Sequence, residues 1–247
     1  MGQISAEVLE VYRVTAAHDG RDPLAVLRER GLRVTELRVR DTPIRALYTA
    51  ARDYLLQLNH MGAAEVRAGL TLDPGPARAM FARQNAVTQA WLEPALALVA
   101  KDQPHLAGAI RAAAGQLAWG TYDACPLDQT GKGFAKGHAF APIFAAHDFD
   151  LGLFLIAPHV LYRDHAHPAP ALYAPLTGPH GWRFGVGRPL ITMPAHQPVW
   201  NPPHRAHLTK VGAVPFLGLF VWTKDVDGLA YVLPADDWAA LEDAQIA

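Results

Sequence analysis

Apolar residues recur with helical spacing in the first forty residues. They form one broad face from Ser5 to Ala17, which predicts an amphipathic helix. A second helix is predicted over Asp22–Arg30, because Pro23 suits its first turn and Gly31 ends it. The alternating segment Leu32–Arg40 predicts a short strand or extended arm.

Three longer helical blocks follow. The first runs from Pro43 to about Asn59, and the second covers Pro76–Lys101 with a broad apolar face. We expect Pro94 to kink or split the second block, because proline lacks the amide hydrogen of a helical bond. The third block begins at Pro104 and reaches Trp119.

The pattern changes after Trp119, where glycine, proline, histidine and aromatic residues increase and helical periodicity disappears. Many short strands at even spacing predict a sandwich or barrel. The expected organisation is therefore a helical segment, residues 1–119, packed on a β domain, residues 120–247. The candidate strands are Leu151–Ala157, Ala171–Pro175, Trp182–Val186, Pro189–Met193, Gln197–Trp200, Arg205–Lys210, Phe216–Trp222 and Ala230–Leu233.

Composition excludes several classes of protein. A net charge of −1, with no strong cluster of Lys and Arg, argues against a nucleic-acid partner. A single cysteine, Cys125, excludes an internal disulfide. The amphipathic start, with Glu7 and Glu10, does not resemble a secretory signal, and no apolar run is long enough to span a membrane. We therefore expect a cytoplasmic protein with a small-molecule substrate, and a homodimer is its candidate assembly.

Nine of the twelve histidines lie between His138 and His207. His165 and His167 would share one face of an extended strand, since strand side chains alternate. His204 and His207 form a second pair that a barrel can bring to the first, and imidazole is a common metal ligand. The pattern favours a metal site, although a solvated histidine-rich loop is the alternative interpretation.

The segment from His165 to Gly178, HAHPAPALYAPLTG, resembles the first cupin motif, HxH-x3-E-x6-G. Ala171 stands where that motif has glutamate. Residues 202–207, PPHRAH, resemble the second motif, P-x-G-x2-H, with His204 replacing the glycine. Pro168 and Pro170 cannot donate ladder hydrogen bonds, so we expect a bulge between His167 and Ala171.

Two further segments indicate which cupin family the chain resembles. They are LGLFLIAPHVLY and HLTKVGAVPFLGLFVWTKDVDG. With the motifs, they make roughly Phe134 to Asp227 similar to the cupin-type dimethylsulfoniopropionate lyases. The resemblance implies a mainly β fold, a cupin double-stranded β-helix preceded by helices. It also implies that His167 and His207 bind a metal, with Tyr173 on or near it, Tyr162 as a second active-site tyrosine, and His165 as a further candidate ligand.

The implied reaction is an elimination in which a tyrosinate removes the proton alpha to the carboxylate, and dimethyl sulfide leaves to give acrylate. A divalent transition metal would stabilise the tyrosinate. Zinc is the leading candidate metal, because alanine at position 171 removes a carboxylate ligand. Iron, nickel, manganese and copper are the alternatives. The sulfonium and the rest of the substrate would contact the side chains of Trp182, Trp200, Trp222 and His204, since aromatic faces attract cations.

Ala171 also leaves two other functions open. One is a cupin enzyme of different chemistry, an oxygenase or isomerase, whose metal uses His165 or His204 instead. The other is a degenerate cupin that only binds a ligand.

Other polar residues have simpler interpretations. The Asp225 and Asp227 pair follows a strand in a sequence typical of a turn. The glycines in the GKG segment 131–133 are too few for a P-loop. Lys136 and Lys224 could bind a carboxylate, but a solvated surface position is expected.

Overall fold

The structure is a computed structural model that describes residues 29–30, 42–72, 85–121, 128–146 and 148–246. The helix predicted at 5–17, most of that at 22–30, the arm at 32–40, residues 76–84 of the second helical block and Cys125 lie outside these residues.

Six α-helices lie entirely within the described part of the chain. The third begins at a capping box, in which Asn85 Oδ1 accepts from Thr88 N at 2.9 Å and Thr88 Oγ1 accepts from Asn85 N at 3.0 Å. It continues through Pro94 without the predicted split, because residues on both sides of the proline are buried. The helices are α1 (Thr42–Leu55), α2 (Ala63–Leu70), α3 (Ala86–Asp102), α4 (Pro104–Ala113), α5 (Lys132–Gly137) and α6 (Trp238–Asp243).

The predicted helices differ from the observed ones mainly at their ends. The first block stops at Leu55, and the block expected to reach Trp119 ends at Ala113 with a 3₁₀ turn, Ala114–Gln116. Helices α2, α5 and α6 were not predicted, since each has eight residues or fewer and too little periodicity.

Ten strands make up the β domain. The eight predicted strands are all present with ends shifted by up to two residues, and the sequence did not predict β1 or delimit β3. The strands are β1 (His138–Ala146), β2 (Phe149–Ile156), β3 (Leu161–Ala166), β4 (Ala171–Pro175), β5 (His180–Phe184), β6 (Ile191–Met193), β7 (Val199–Asn201), β8 (His207–Lys210), β9 (Phe216–Thr223) and β10 (Tyr231–Val232).

The strands form two five-stranded antiparallel sheets. The first has the order β1-β2-β9-β4-β7, and the second has the order β10-β3-β8-β5-β6. Consecutive strands β3 and β4, and later β7 and β8, lie in different sheets, so the chain winds between the two layers. This is the cupin double-stranded β-helix with helices before it, which confirms the predicted fold class.

The two faces of the first sheet pack against different partners. Its outer face shares one hydrophobic core with α1 to α4, and its inner face contributes Tyr173 and Val199 to a second cluster inside the barrel. Helix α2 lies so close to the sheet that a Cβ on Gly69 would be 2.0 Å from the Phe149 ring. The helices from Pro43 onward and the strands therefore form one compact unit.

The two prolines after His167 mark a change of sheet rather than the predicted bulge. Strand β3 ends at Ala166, residues 167–170 cross between the layers, and β4 starts at Ala171 in the other sheet. Backbone hydrogen bonds hold the crossing, because His167 O accepts from His204 N at 2.9 Å and Pro170 O accepts from Thr223 N at 3.0 Å. No described helix is long and apolar enough to cross a membrane.

Candidate functional site

Two strands of the second sheet bring the two histidine pairs of the sequence together. His165 on β3 is the direct partner of His207 on β8, and their ring centroids are 4.1 Å apart. His167 comes from the crossing between the sheets, with its ring centroid 5.1 Å from that of His207. Each of the three side chains is at most 2% exposed.

Each of these imidazoles is held by its Nδ1 atom. Nδ1 donates to a main-chain carbonyl in His165 (Arg163 O, 2.8 Å), His167 (Ala169 O, 2.7 Å) and His207 (Arg205 O, 2.8 Å). Since a carbonyl only accepts, the proton of each neutral ring lies on Nδ1 and the lone pair on Nε2. The three Nε2 atoms are buried without a hydrogen-bond partner.

Burial also keeps the three rings uncharged. Desolvation, with the neighbouring His167 second, lowers the pKa of His165 to about 3. Desolvation lowers the pKa of His167 to about 4 and that of His207 well below its ordinary value. Neutral imidazoles with free Nε2 lone pairs are the form in which histidine binds metals.

The arrangement fits a metal ion. One ligand atom from each histidine lies within 4.8 Å of the others. With Zn–N bonds of about 2.0–2.1 Å, two ligand nitrogens can be at most about 4.2 Å apart. The rings therefore need only small movements to share an ion. The carbonyl partners on Nδ1 supply the outer hydrogen bonds typical of metal-binding histidines.

A row of side chains from the first sheet lies on the facing inner wall. Ala171 on β4 pairs with Trp222 on β9 and with Asn201 on β7. The Trp222 ring stacks on His167 with centroids 4.6 Å apart, so this row borders the histidines. Position 171, where the cupin motif has glutamate, thus lies on the site wall and carries only a methyl group.

Tyr173 lies in the next row of the same wall. Its ring centroid is 6.0 Å from that of His207 and 5.7 Å from that of Trp182, and its side chain is 8% exposed. It shares the inner cluster with Val199, its partner on β7. The structure therefore places Tyr173 beside the histidines.

Tyr162 reaches the same interior through a bulge. Tyr162 pairs with Thr209 and His165 with His207, so three steps on β3 match two on β8. In a regular strand residues 162 and 165 would face opposite sides, but here their rings stack at 3.8 Å. Phe134 covers the other face of Tyr162 at 3.7 Å and stacks on His138 at 4.0 Å. Tyr162 is thus held within a column of four rings.

The remaining substrate-binding candidates divide between the barrel interior and other surfaces. Trp182 belongs to the inner cluster, and its indole Nε1 is buried without a partner. Trp200 lies on the opposite face of β7, where it packs near His60 with ring centroids 5.8 Å apart and lines a cavity of about 260 Å³. His204 is exposed, with Nδ1 3.3 Å from the Tyr231 hydroxyl.

The other polar residues singled out in the sequence lie away from the three histidines. Lys224 is 3.6 Å from Glu65, and Lys136 is exposed on α5. Asp225 and Asp227 are exposed in a turn closed by Gly228 N donating to Asp225 O at 2.9 Å. None of these side chains contributes to the histidine cluster.

Two inward-facing residues were not identified from the sequence. Phe134 stacks on Tyr162, and Asn201 stands beside Ala171. Asn201 directly precedes the Pro202–Pro203 pair of the second motif, so its place next to that motif was the available signal. No sequence signal marked Phe134 as a site residue, because it lies on a short helix outside the strands.

Comparisons with known proteins agree with this barrel. The model of the dimethylsulfoniopropionate lyase family matches residues 67–218. A solved chain described with the DMSP lyases RdDddP and RnDddQII is 19% identical with a TM-score of 0.56, covering 78% of this chain and 98% of that one. The DMSP lyase DddQ from Ruegeria pomeroyi DSS-3 is 18% identical with a TM-score of 0.57, covering 79% and 98%. At these identities the two structures establish the shared fold. No curated protein sequence matches significantly.

Proposed function

Because this chain belongs to the dimethylsulfoniopropionate lyase family, we propose that it is a metal-dependent carbon–sulfur lyase that converts dimethylsulfoniopropionate to dimethyl sulfide and acrylate. The observation that carries the proposal is the convergence of three buried, uncharged histidines with unpartnered Nε2 atoms next to Tyr173. His165, His167 and His207 would hold a divalent transition metal, with zinc the leading candidate, since zinc accepts three-histidine sites.

The bound metal would supply positive charge that neutralises the substrate carboxylate and stabilises a tyrosinate. Tyrosine has an ordinary pKa of about 10, so such stabilisation is needed at neutral pH. Tyr173 then takes the proton alpha to the carboxylate. The electrons of that C–H bond form the double bond of acrylate, and the electrons of the Cβ–S bond leave with dimethyl sulfide.

Tyr173 is better placed than Tyr162 to act as this base. Its ring stands at the edge of the cluster, tilted by 55° to His207. Tyr162 is stacked on both faces, which favours a role in positioning His165. Trp222 and Trp182 line the interior and would hold the sulfonium by cation–π contacts of about 0.5–2 kcal/mol.

The decisive experiment combines metal analysis with headspace detection of dimethyl sulfide. The zinc-loaded protein should release dimethyl sulfide, and Tyr173→Phe should lower the rate at least about 100-fold, the usual contribution of general base catalysis. Zinc content and circular dichroism of the variant should stay unchanged. Tyr162→Phe is the matched control, with a smaller loss expected. Full activity of Tyr173→Phe would refute the assigned role.

The alanine at position 171, where the cupin motif has glutamate, favours a second candidate, a cupin enzyme of different chemistry on a small carboxylate. In that case His165 replaces the absent glutamate as a ligand, and the all-histidine set would suit zinc, copper or nickel. Stoichiometric metal without release of dimethyl sulfide would support this alternative over the lyase.

A further inference from the structure

Asn201 has a buried side chain with no hydrogen-bond partner. It is 0% exposed, and neither Oδ1 nor Nδ2 is paired. Burying a polar group without a hydrogen-bond partner destabilises the folded protein. A leucine or valine would avoid this cost, so the carboxamide calls for a physical explanation.

The register of β7 directs this carboxamide into the barrel. Val199 belongs to the inner cluster and Trp200 packs outward, so Asn201 faces inward with Val199. Its direct neighbour on β4 is Ala171, which carries only a methyl group. Beyond Ala171 stands Trp222, which stacks on His167. Asn201 therefore borders the site on the side where the cupin glutamate is missing.

An asparagine at this place differs from the absent glutamate in charge and reach. Directly paired residues have Cβ atoms about 4.5–5.5 Å apart, and asparagine is one carbon shorter than glutamate. The carboxamide thus lies beside the space that the carboxylate of the motif glutamate would occupy if it replaced Ala171. It is uncharged and offers two N–H donors, whereas a carboxylate only accepts and would repel an anion.

We propose that Asn201 is a substrate-binding residue whose Nδ2–H donates a hydrogen bond to the carboxylate of the substrate held at the three histidines. This inference rests on the proposed function, in which a small carboxylate binds next to the metal. The alanine at position 171 and the amide of Asn201 then have the same effect, which is to favour binding of an anion. The wall of the site carries no negative charge and presents a donor to the anionic end of the substrate.

The proposal can be tested without catalysis by measuring how tightly propionate binds to the Co(II)-loaded protein. The visible absorption of the Co(II) ion reports this binding. Asn201→Leu should weaken propionate binding about tenfold, equivalent to about 1.4 kcal/mol. Its affinity for Co(II) should stay unchanged, because Asn201 is not a ligand. The control Gln57→Leu, at an exposed amide side chain just after α1, should leave both affinities unchanged.

Asn201→Asp provides a near-isosteric second variant in case the leucine protein does not fold. It should bind propionate at least as weakly as Asn201→Leu, because an anion replaces the donor, while retaining Co(II). Unchanged propionate affinity in either folded variant overturns the inference, as does a loss of Co(II) affinity in Asn201→Leu. A wild-type protein that binds Co(II) but no propionate also overturns it. A wild-type protein that binds no Co(II) overturns the proposed function itself.

Discussion

At the scale of single residues, the small size of Ala171 changes the chemistry of the whole site. A glutamate there would give an anionic fourth ligand and reduce the net charge of the bound metal by one. With alanine, a divalent ion held by the three neutral histidines, as proposed above, would keep its full charge available to a substrate carboxylate and to Tyr173. The missing ligand thus favours strong binding of anions.

Replacing Ala171 with the glutamate of the cupin motif should therefore strengthen metal binding. We expect Ala171→Glu to raise zinc affinity by at least about tenfold, or about 1.4 kcal/mol, because it adds a charged ligand within the site wall. Competition with a chromogenic chelator would measure the change. Without metal, the variant should melt at a lower temperature than the wild type, since position 171 is 0% exposed and a carboxylate there would be desolvated.

Ala171→Gln is the control for size, because it has almost the same shape without the charge. Its zinc affinity should lie well below that of Ala171→Glu. Equal zinc affinities for the two variants, or an affinity of Ala171→Glu below that of the wild type, would contradict the proposal that residue 171 lies next to a metal held by the three histidines.

At the scale of elements, the start of helix α6 binds to a buried ion pair on the outer face of the second sheet. The Arg183 guanidinium on β5 binds the carboxylate of Asp164 on β3, and its Nη1 donates to Asp237 Oδ2 at 2.5 Å. Trp238 Nε1 donates to the same Asp164 carboxylate at 2.7 Å. Arg183 and Asp164 are at most 1% exposed, while the Asp237 side chain is 46% exposed.

The two carboxylates should therefore contribute very differently to stability. Asp164→Asn leaves a buried guanidinium without its main counter-charge and should lower the free energy of unfolding by about 3–5 kcal/mol. Asp237→Asn, at a half-exposed partner, should cost about 1 kcal/mol or less. Urea unfolding of the two variants would measure both values. Equal losses would show that the buried pair is not the principal attachment of α6.

The same elements show how much of the fold the sequence could predict. Helices with long apolar faces and strands bounded by turn residues were identified, since their patterns are local. The short helix α6 was missed because its stability comes from distant residues such as Asp164 and Arg183. The motif spacing predicted the histidines and Tyr173, but the bulge that turns Tyr162 inward depends on pairing with β8, which the sequence of β3 does not reveal.

The sequence also predicted the candidate site only in part. The HxH pair was expected on one strand face, yet His167 comes from the crossing between the sheets. Asn201 could be recognised only once the register placed it beside Ala171, because a polar residue next to two prolines is ordinarily interpreted as part of a turn.

At the scale of the whole molecule, the barrel interior contains several histidines that are neutral when folded. His180 is one that lies outside the cluster of His165, His167 and His207. Desolvation lowers its pKa to about 4, while Thr177 Oγ1 is 3.3 Å from its Nε2 and Gly212 N donates to its Nδ1 at 3.2 Å. The same direction of shift at His165, His167 and His207 makes folding of the metal-free protein sensitive to acid.

The direction of this sensitivity follows from proton binding. Between a pH of about 6.5, the ordinary histidine pKa, and a pH of about 4, the unfolded chain binds protons that the folded barrel excludes. Stability is therefore complete above about pH 6.5 and falls as the pH decreases through this window. At pH 5 the contribution of His180 alone should be a loss of about 2 kcal/mol, since each pKa unit corresponds to about 1.4 kcal/mol.

His180→Asn should remove this part of the pH dependence. Urea unfolding at pH 7 and pH 5, with chelator present so that metal binding does not contribute, would measure it. The variant should be less stable than the wild type at pH 7, because it loses packing against Phe216, whose ring centroid is 5.2 Å from that of His180. Its further loss between pH 7 and pH 5 should be smaller than that of the wild type by about 2 kcal/mol. Parallel losses in the two proteins would mean that His180 does not stay neutral in the folded barrel.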